Sequence, residues 1–423
     1  MKKISFVINT AKNELDHLKL LLESLELNLD RKDHEILIFI DSDNQGTLEV
    51  LKSLQPRFKD MKIITHKLNP CVGYSRNKNI MVDKAKYDII SYLQSDMVIS
   101  PHYDTDIIEC LEDDCILSAT RVEPPLHGES ETTITKDFGL DPLYFDMDTW
   151  NTYSVDQKNQ ASLNYFFAPI TFRKDTWKGL GGYDTLFRRS REDSDLVQRC
   201  LQAGIKLKQT FSAIVYHFTC VSSRGPNWYK DDESAKKRLE LQKKADVIEL
   251  RRFIRRWGTF NHGSEVLKKY DVDFFIKNSS RISPSLVWNL EPKVSKVWLD
   301  NKEVTTKVLS MYENEQSFAN YLLDFSAEDW ENNQKFYNIE DYSKIYEYSK
   351  NTPKEYNVLL TLDADNYTVK DSMLFNNLHK VLDNSEPGTY EFGSIKIDIR
   401  TKISKKLIKI TNPKMDKNLL EIV

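Results

Sequence analysis

The chain has 423 residues, 40% hydrophobic, 29% charged and 11% aromatic, with a net charge of -4. That length can bury two cores, and the balance of charge excludes the concentrated basic field a nucleic-acid binder needs. Five cysteines (Cys71, Cys110, Cys115, Cys200, Cys220) show no CxxC spacing and no partnering histidine, so they read as reduced intracellular thiols and exclude a disulfide frame or zinc site.

"MKKISFVINT" runs straight into a strand-like segment without the apolar region of a signal peptide. No apolar run approaches the ~20 residues of a spanning helix, so a cytoplasmic protein is expected. Apolar runs then alternate with amphipathic segments. Strands are expected at 4–8, 35–40, 62–65, 88–93 and 115–120, with helices at 14–25, 48–54 and 79–85 between them. Such alternation predicts an α/β fold, a mainly parallel sheet with helices on both faces. In sheets of this kind ligands bind beyond the carboxyl ends of the strands.

Polar loops follow three of these strands: "DSDNQGT" with Asp41 and Asp43, "NPCVGYSRNKN" with Gly73, Arg76 and Asn77, and "QSDM" with Gln94, Ser95 and Asp96. Asp, Asn and Gly also serve turns and caps, but three polar loops on one rim point to a site. Residues 121–160 loosen into an acidic, aromatic, turn-rich stretch that reads either as a binding loop or lid or as a partly disordered insertion. A strand returns at 165–172, followed by "GLGGYD". "SREDSDLVQRCLQAGIKL" then sets Glu192, Asp193 and Asp195 at the head of a short helix with the stripe Leu196, Val197, Cys200 and Leu201 and a stop at Gly204. Ser190 or Asp193 is placed to cap it, and the macrodipole stabilises anions there, so cap and catalyst both fit. A last strand, "SAIVYHF", delivers His217.

These residue types suit a nucleotide diphosphate sugar. Its diphosphate needs a divalent cation on a few hard ligands, for which Asp96 and His217 are candidates. Thr10 and Asp41 lie where base and ribose need polar partners, and Arg76 can grip phosphate oxygens in a bidentate way. An acceptor hydroxyl needs a carboxylate to draw off its proton, a role open to Asp193 or Glu192.

In the order "DSDNQGT", "GYSRNKNI", "YLQSDM", "GGYDTLFRRSREDSDLVQR", "VYHF", the chain resembles GT-A glycosyltransferases of the family 2 type, from residue 3 to about residue 224. The resemblance implies a GT-A sheet and, usually, inversion. It implies that Asp41 contacts the nucleoside, Arg76 the diphosphate, and that Asp96 is the final acid of the DxD metal motif. It also implies that Asp193 is the base of the ED pair and that His217 is a third metal ligand. Asn77, Gln94 and Ser95 complete the donor-binding set, and Mn2+ or Mg2+ is the implied cofactor. Two departures stand out. Gln94 replaces the first acid of DxD, keeping a hydrogen bond for ribose but losing a charge, and Ser42 replaces the second acid of the early DD pair, with Asp43 displaced.

The domain plan that follows is a glycosyltransferase domain at 1–228, a helical connector at 229–281 and a smaller α+β domain at 282–423. A polar loop, "SSRGPNWYK", stands where it could border the acceptor site. The helix expected at 234–257 carries Lys243, Lys244, Arg251, Arg252, Arg255 and Arg256 beside an apolar stripe. It could lie on an anionic membrane, though packing on the catalytic domain is the plainer reading. "LLTLDADNYT" spells DxD at Asp363 and Asp365, but such a string also makes an ordinary turn. The expected partners are a nucleotide-sugar donor and a glycan, lipid-linked or protein acceptor, with no nucleic acid. The rival readings are a non-catalytic nucleotide-sugar or glycan-binding protein on the same fold, and a nucleotidyltransferase. The latter is disfavoured because no glycine-rich, lysine-bearing phosphate loop lies near the N-terminus.

Overall fold

The computed structural model describes residues 2–41, 45–66, 73–187, 190–219, 233–260, 265–321, 346–406, 409–412 and 420–422. Ser42, Asp43, Cys71, Cys220, the loop 222–230 and the side chain of Lys244 lie outside that description. The chain divides into two compact units. The first runs to Glu240 and takes in the described residues from 409 onward, and the second holds those from 241 to 406.

In the first unit β1 (Ile4–Thr10) and β2 (Glu35–Ile40) are buried at every position. Helices cover both faces, so no alternation of polar residues is needed. β1 pairs in parallel with β2 on one side and β4 (Ile89–Gln94) on the other, and β2 pairs in parallel with β3 (Met61–His66). The connecting helices are α1 (Leu15–Asn28), α2 (Thr47–Leu54) and α3 (Tyr74–Lys84). The order β3-β2-β1-β4 reverses direction at β1. In sheets with such a reversal the ligand crevice is expected past the carboxyl ends of β1 and β4.

Beyond β4 the sheet becomes mixed. β5 (Met97–Ile99), α4 (Tyr103–Cys110), β6 (Cys115–Glu123) and β7 (Thr133–Thr135) follow in sequence. α5 (Met147–Gln157), β8 (Ser162–Leu163), β9 (Ile170–Arg173), α6 (Lys174–Leu180), α7 (Glu192–Ala203) and β10 (Lys206–His217) complete this part. β9 is antiparallel to both β4 and β6, whereas β10 runs parallel to β6 and antiparallel to β5. The expected strand at 165–172 thus shortens to the segment that finds two partners.

The loosely patterned stretch at 121–160 is an ordered part of the first unit and not a disordered insertion. Phe138, Phe145, Trp150 and Tyr153 pack with Tyr216 and Phe218 into an aromatic cluster, and Trp150 Nε1 donates to Ile99 O at 3.1 Å. Its aromatic residues supply a small core of their own. Of the described cysteines, Cys110, Cys115 and Cys200 are free thiols, and burial pushes Cys115 up to about 11 and Cys200 up to about 12.

In the second unit, α8 (Glu233–Trp257), whose first residues belong to the other unit, precedes β11 (Lys269–Tyr270) and β12 (Val272–Lys277). Next come α9 (Pro284–Leu290), β13 (Lys296–Leu299), α10 (Lys302–Tyr321), β14 (Tyr346–Tyr348) and β15 (Val358–Asp363). α11 (Ser372–Asp383), β16 (Gly388–Phe392), β17 (Ile395–Ile399) and β18 (Ser404–Lys405) end it. Among the described residues its sheet has the order β14-β13-β12-β15-β17-β16, parallel through β15 and antiparallel beyond. β12, inside the expected connector, is a central strand here. The expected domain at 282–423 also ends elsewhere, because β19 (Leu420–Ile422) pairs antiparallel with β3 in the first sheet.

The basic helix packs inward over its second half, where Arg251 and Arg252 are buried, while Lys243 and Val247 stay exposed. Arg251 and Arg255 bind the buried carboxylate of Glu291 at 3.0 and 2.6 Å, and Arg251 stacks on Trp288. Those two guanidinium groups are thus taken up within the second unit. Among the described residues no helix is long and apolar enough to cross a membrane. In "DADN", Asp363 caps its own turn by accepting from Asp365 N at 3.2 Å, while Asn278 donates to both carboxylates. It is a turn.

Candidate active site

Glycine opens the site. Gly73 has φ 95° and ends the loop before α3, so the helix begins at Tyr74, five residues earlier than the apolar pattern predicts. Arg76 and Asn77 therefore stand on its first turns instead of in a loop, and Lys78 follows them. Gly73 N donates to Asp41 Oδ1 at 3.3 Å, fastening the end of β2 to the start of α3. Asn77 Nδ2 donates to Asn9 Oδ1 at 3.0 Å, fastening β1 to the same helix. The charge of Arg76 reaches His66 at the end of β3, where burial first and that charge second hold the imidazole below its usual range.

At the end of β4, Gln94 Nε2 donates to the Tyr74 hydroxyl at 2.8 Å and Ser95 Oγ to Glu14 Oε2 at 2.6 Å. Asp96 sits in the turn between β4 and β5. The register of β5 on β10 sets Met97 opposite His217, which brings His217 Nε2 to 3.6 Å from Asp96 Oδ2. The other ring nitrogen, Nδ1, meets Glu123 Oε1 at 2.7 Å. Burial pushes the Glu123 carboxyl up, but the His217 hydrogen bond and the charges of Arg121, His217 and His127 outweigh it and hold it low. An ionised Glu123 fixes the imidazole with Nε2 toward Asp96, as a supporting carboxylate does for a metal-bound histidine.

This pair fits a divalent cation that draws its remaining positions from a ligand: one carboxylate and one oriented imidazole, 3.6 Å apart. Among the described residues no group of three His, Cys, Asp or Glu side chains is arranged to hold a metal by itself.

The acidic helix begins differently from expectation. Its N-cap is Arg191 at φ 70°, which makes no side-chain cap bond, so neither Ser190 nor Asp193 holds the N-cap position. Glu192 is buried, Asp193 half-buried, and Asp195 makes a wholly buried ion pair with Arg199 at 2.8 Å. The stop at Gly204 stands as expected, in the left-handed region at φ 73°. Tyr183 donates its hydroxyl to Asp193 Oδ1 at 2.5 Å. Its backbone exchanges two hydrogen bonds with Asn79 on α3, at 2.7 and 2.9 Å.

The turn carrying Tyr183 is held from far away in sequence. Asn412 Nδ2 donates to Gly181 O and Tyr183 O at 2.9 and 2.8 Å, while its Oδ1 accepts from Thr185 N at 3.0 Å. Gly181 has φ 81°, and a Cβ there would collide with the Ile410 carbonyl oxygen.

Thus α3 joins the ends of β1, β2 and β4 to the acids: Gly73 to Asp41, Asn77 to Asn9, Tyr74 to Gln94, and Asn79 through Tyr183 to Asp193. The charges of Asp193, Glu192 and Asp96 all act on Tyr74. Thr10 Oγ1, Asn77 Oδ1 and Gln94 Oε1 are buried without a hydrogen-bond partner among the described residues. Sequence reasoning missed Glu123, Tyr183, Asn79, Lys78 and Asn412. Tyr183 stood in "GGYDTLFRRSREDSDLVQR", ten residues before Asp193, and Lys78 and Asn79 stood in "GYSRNKNI"; Glu123 and Asn412 lay in no motif.

The family model described as "Glycosyl transferase family 2" matches residues 6–176. That span covers Thr10 through Asp96 and stops before Asp193 and His217. No curated protein matches the sequence. Solved structures with a similar fold include GalNAc-T7 with UDP, GalNAc and Mn2+, at 14% identity and a TM-score of 0.41 over 51% of this chain. The match spans 44% of the GalNAc-T7 chain, less than half its length. Another is S. aureus TarS 1-349, at 13% identity and a TM-score of 0.39, over 75% of this chain and 88% of that one.

Proposed function

From the membership of its N-terminal domain in glycosyl transferase family 2, with the GT-A fold, we propose that the protein moves a sugar from a nucleotide diphosphate sugar to an acceptor hydroxyl, with inversion. The observation that carries this reading is the web on α3, which ties Asp41, Gln94 and, through Tyr183, Asp193 to one helix. Donor-binding groups and a candidate base are thereby held on a common support. Buried polar atoms call for partners, so the orphaned atoms of Thr10, Asn77 and Gln94 support a polar ligand in the crevice.

In this mechanism Thr10 and Asp41 bind the nucleoside, and Arg76 and Asn77 the diphosphate side, with Gln94 and Ser95 near the ribose. Asp96 and His217 would hold Mn2+ or Mg2+, which when bound offsets charge on the leaving diphosphate. Asp193, with Oδ1 held by Tyr183, takes the proton of the acceptor hydroxyl as its oxygen attacks the anomeric carbon. The bond from that carbon to the diphosphate oxygen breaks as the new bond forms, and its electron pair leaves with the diphosphate. Glu192, beside Asp193, adds negative charge at the head of α7, where the macrodipole stabilises it. The acceptor belongs to the class of glycan, lipid-linked or protein hydroxyls.

One observation favours a second reading, a nucleotide-sugar or glycan-binding protein without turnover. Gln94 brings an uncharged amide where an acid would help hold a cation, and its Nε2 is committed to Tyr74. Release of nucleoside diphosphate from a panel of nucleotide sugars, with and without Mn2+, separates the two. Asp193→Asn is expected to lower turnover by about 100-fold or more, while calorimetry finds nucleoside diphosphate affinity nearly unchanged. Equal turnover in variant and parent removes Asp193 from the mechanism. Binding without any release or transfer by the parent supports the second reading.

A further inference from the structure

Lys78 stands one turn past Tyr74 on α3, with 1% of its surface exposed. Its Nζ has no hydrogen-bond partner among the described residues. Aromatic faces surround it. The ammonium lies 3.5 Å from the ring centroid of Tyr74, 4.2 Å from that of Tyr92 and 4.2 Å from that of Tyr183. Such attraction grows when the cation is desolvated, but it leaves the positive charge uncancelled.

The cage walls come from three places: α3 gives Tyr74, β4 gives Tyr92, and the turn before α7 gives Tyr183. Each wall is tied to the site. Tyr74 and Tyr92 share a hydrogen bond between their hydroxyls, Gln94 donates to Tyr74 at 2.8 Å, and Tyr183 donates to Asp193 at 2.5 Å. The charged groups acting on Lys78 are Asp193 and Glu192, both at the head of α7. Two neighbouring carboxylates repel each other, and a buried cation on which both charges act offsets that repulsion.

Resting on the transferase reading of Asp193, we infer that Lys78 is a positioning residue for the base: its caged ammonium balances the charge of Glu192 and Asp193 and holds Tyr183 where its hydroxyl meets Asp193. Burial pushes Lys78 down to about 8, against the upward pull of Asp193 and Glu192. The charged form therefore prevails below about 8 and is lost as pH rises through that value. Turnover that depends on it falls over the same window.

The test compares the full-length parent with Lys78→Met in nucleotide-sugar turnover from pH 7 to pH 9. The parent is expected to lose kcat on the alkaline side of about 8. Lys78→Met should run about tenfold slower at pH 7, the loss of roughly one charge-assisted contact, with KM little changed and that alkaline fall absent. A slower variant that keeps the same alkaline fall overturns the inference, because a purely structural role would leave the profile in place. A second measurement needs neither turnover nor that variant. With lysines labelled at Cε, NMR follows the Lys78 signal, identified by its loss in Lys78→Arg. Asp193→Asn is expected to move its titration to lower pH, and an unmoved titration overturns the inference. A parent that turns over no nucleotide sugar sinks the transferase reading and with it the word base, whereas the lysine titration decides separately whether Lys78 balances the charge of Asp193.

Discussion

Asp96 and His217 owe their pairing to a carboxylate that neither motif contains. Glu123 ends β6, takes one nitrogen of His217 and turns the other toward Asp96. Glu123→Gln keeps the shape but gives up the charge that orients the ring. Supporting residues of this kind typically contribute 10–100-fold in metal affinity. In a thermal-shift titration with UDP present, the Mn2+ concentration needed for half the effect is expected to rise by about that factor. An unchanged midpoint would mean that Glu123 supports only the fold. At the same scale, Gln94 joins the tyrosine cage by donating to the Tyr74 hydroxyl.

Among the elements, the turn between α6 and α7 decides where the acids stand. Gly181 and Gly182 both adopt positive φ, 81° and 74°, and each lies where an added Cβ would meet a neighbour, the Ile410 carbonyl for one and the Asn79 amide for the other. Gly181→Ala carries a left-handed penalty of about 1–2 kcal/mol as well as the collision with backbone, which cannot rotate away. Urea denaturation should show a loss of at least that size, together with a fall in turnover as Tyr183 shifts from Asp193. A variant as stable as the parent would show that the tail from 409 to 412 yields freely. α7 itself is anchored to the end of α6 by Arg199, which pairs with Asp195 one turn back and donates to Leu180 O at 2.7 Å.

For the whole molecule, the notable feature is that the chain's last described residues return to the first sheet. β19 covers the edge of β3, while Asn412 binds the glycine turn. An uncovered edge strand is a template for unwanted pairing. Truncation after Leu407 is therefore expected to lower the melting temperature, to weaken the stabilisation gained from nucleoside diphosphate, and to promote association visible by light scattering. A truncated chain that melts and binds like the parent would make the tail an ornament. The expectation of a C-terminal domain from 282 to 423 misses the pairing of β19 with β3, for a simple reason. Strand periodicity reports that a segment pairs but not with which sheet.

What the residues alone determined was the list of elements and the kinds of chemistry at their ends. The run at 35–40 is the strand Glu35–Ile40 itself, and Asp41, Arg76 and Asp96 follow the strands as expected, because burial on both faces leaves an apolar signature in any one segment. Tertiary structure decided which of those groups meet. His217 meets Glu123 across 94 positions, Tyr183 meets Asn79 across 104, and Asn412 meets Tyr183 across 229. Such contacts depend on strand register and on which turn packs against which helix. No local pattern of side chains encodes either one.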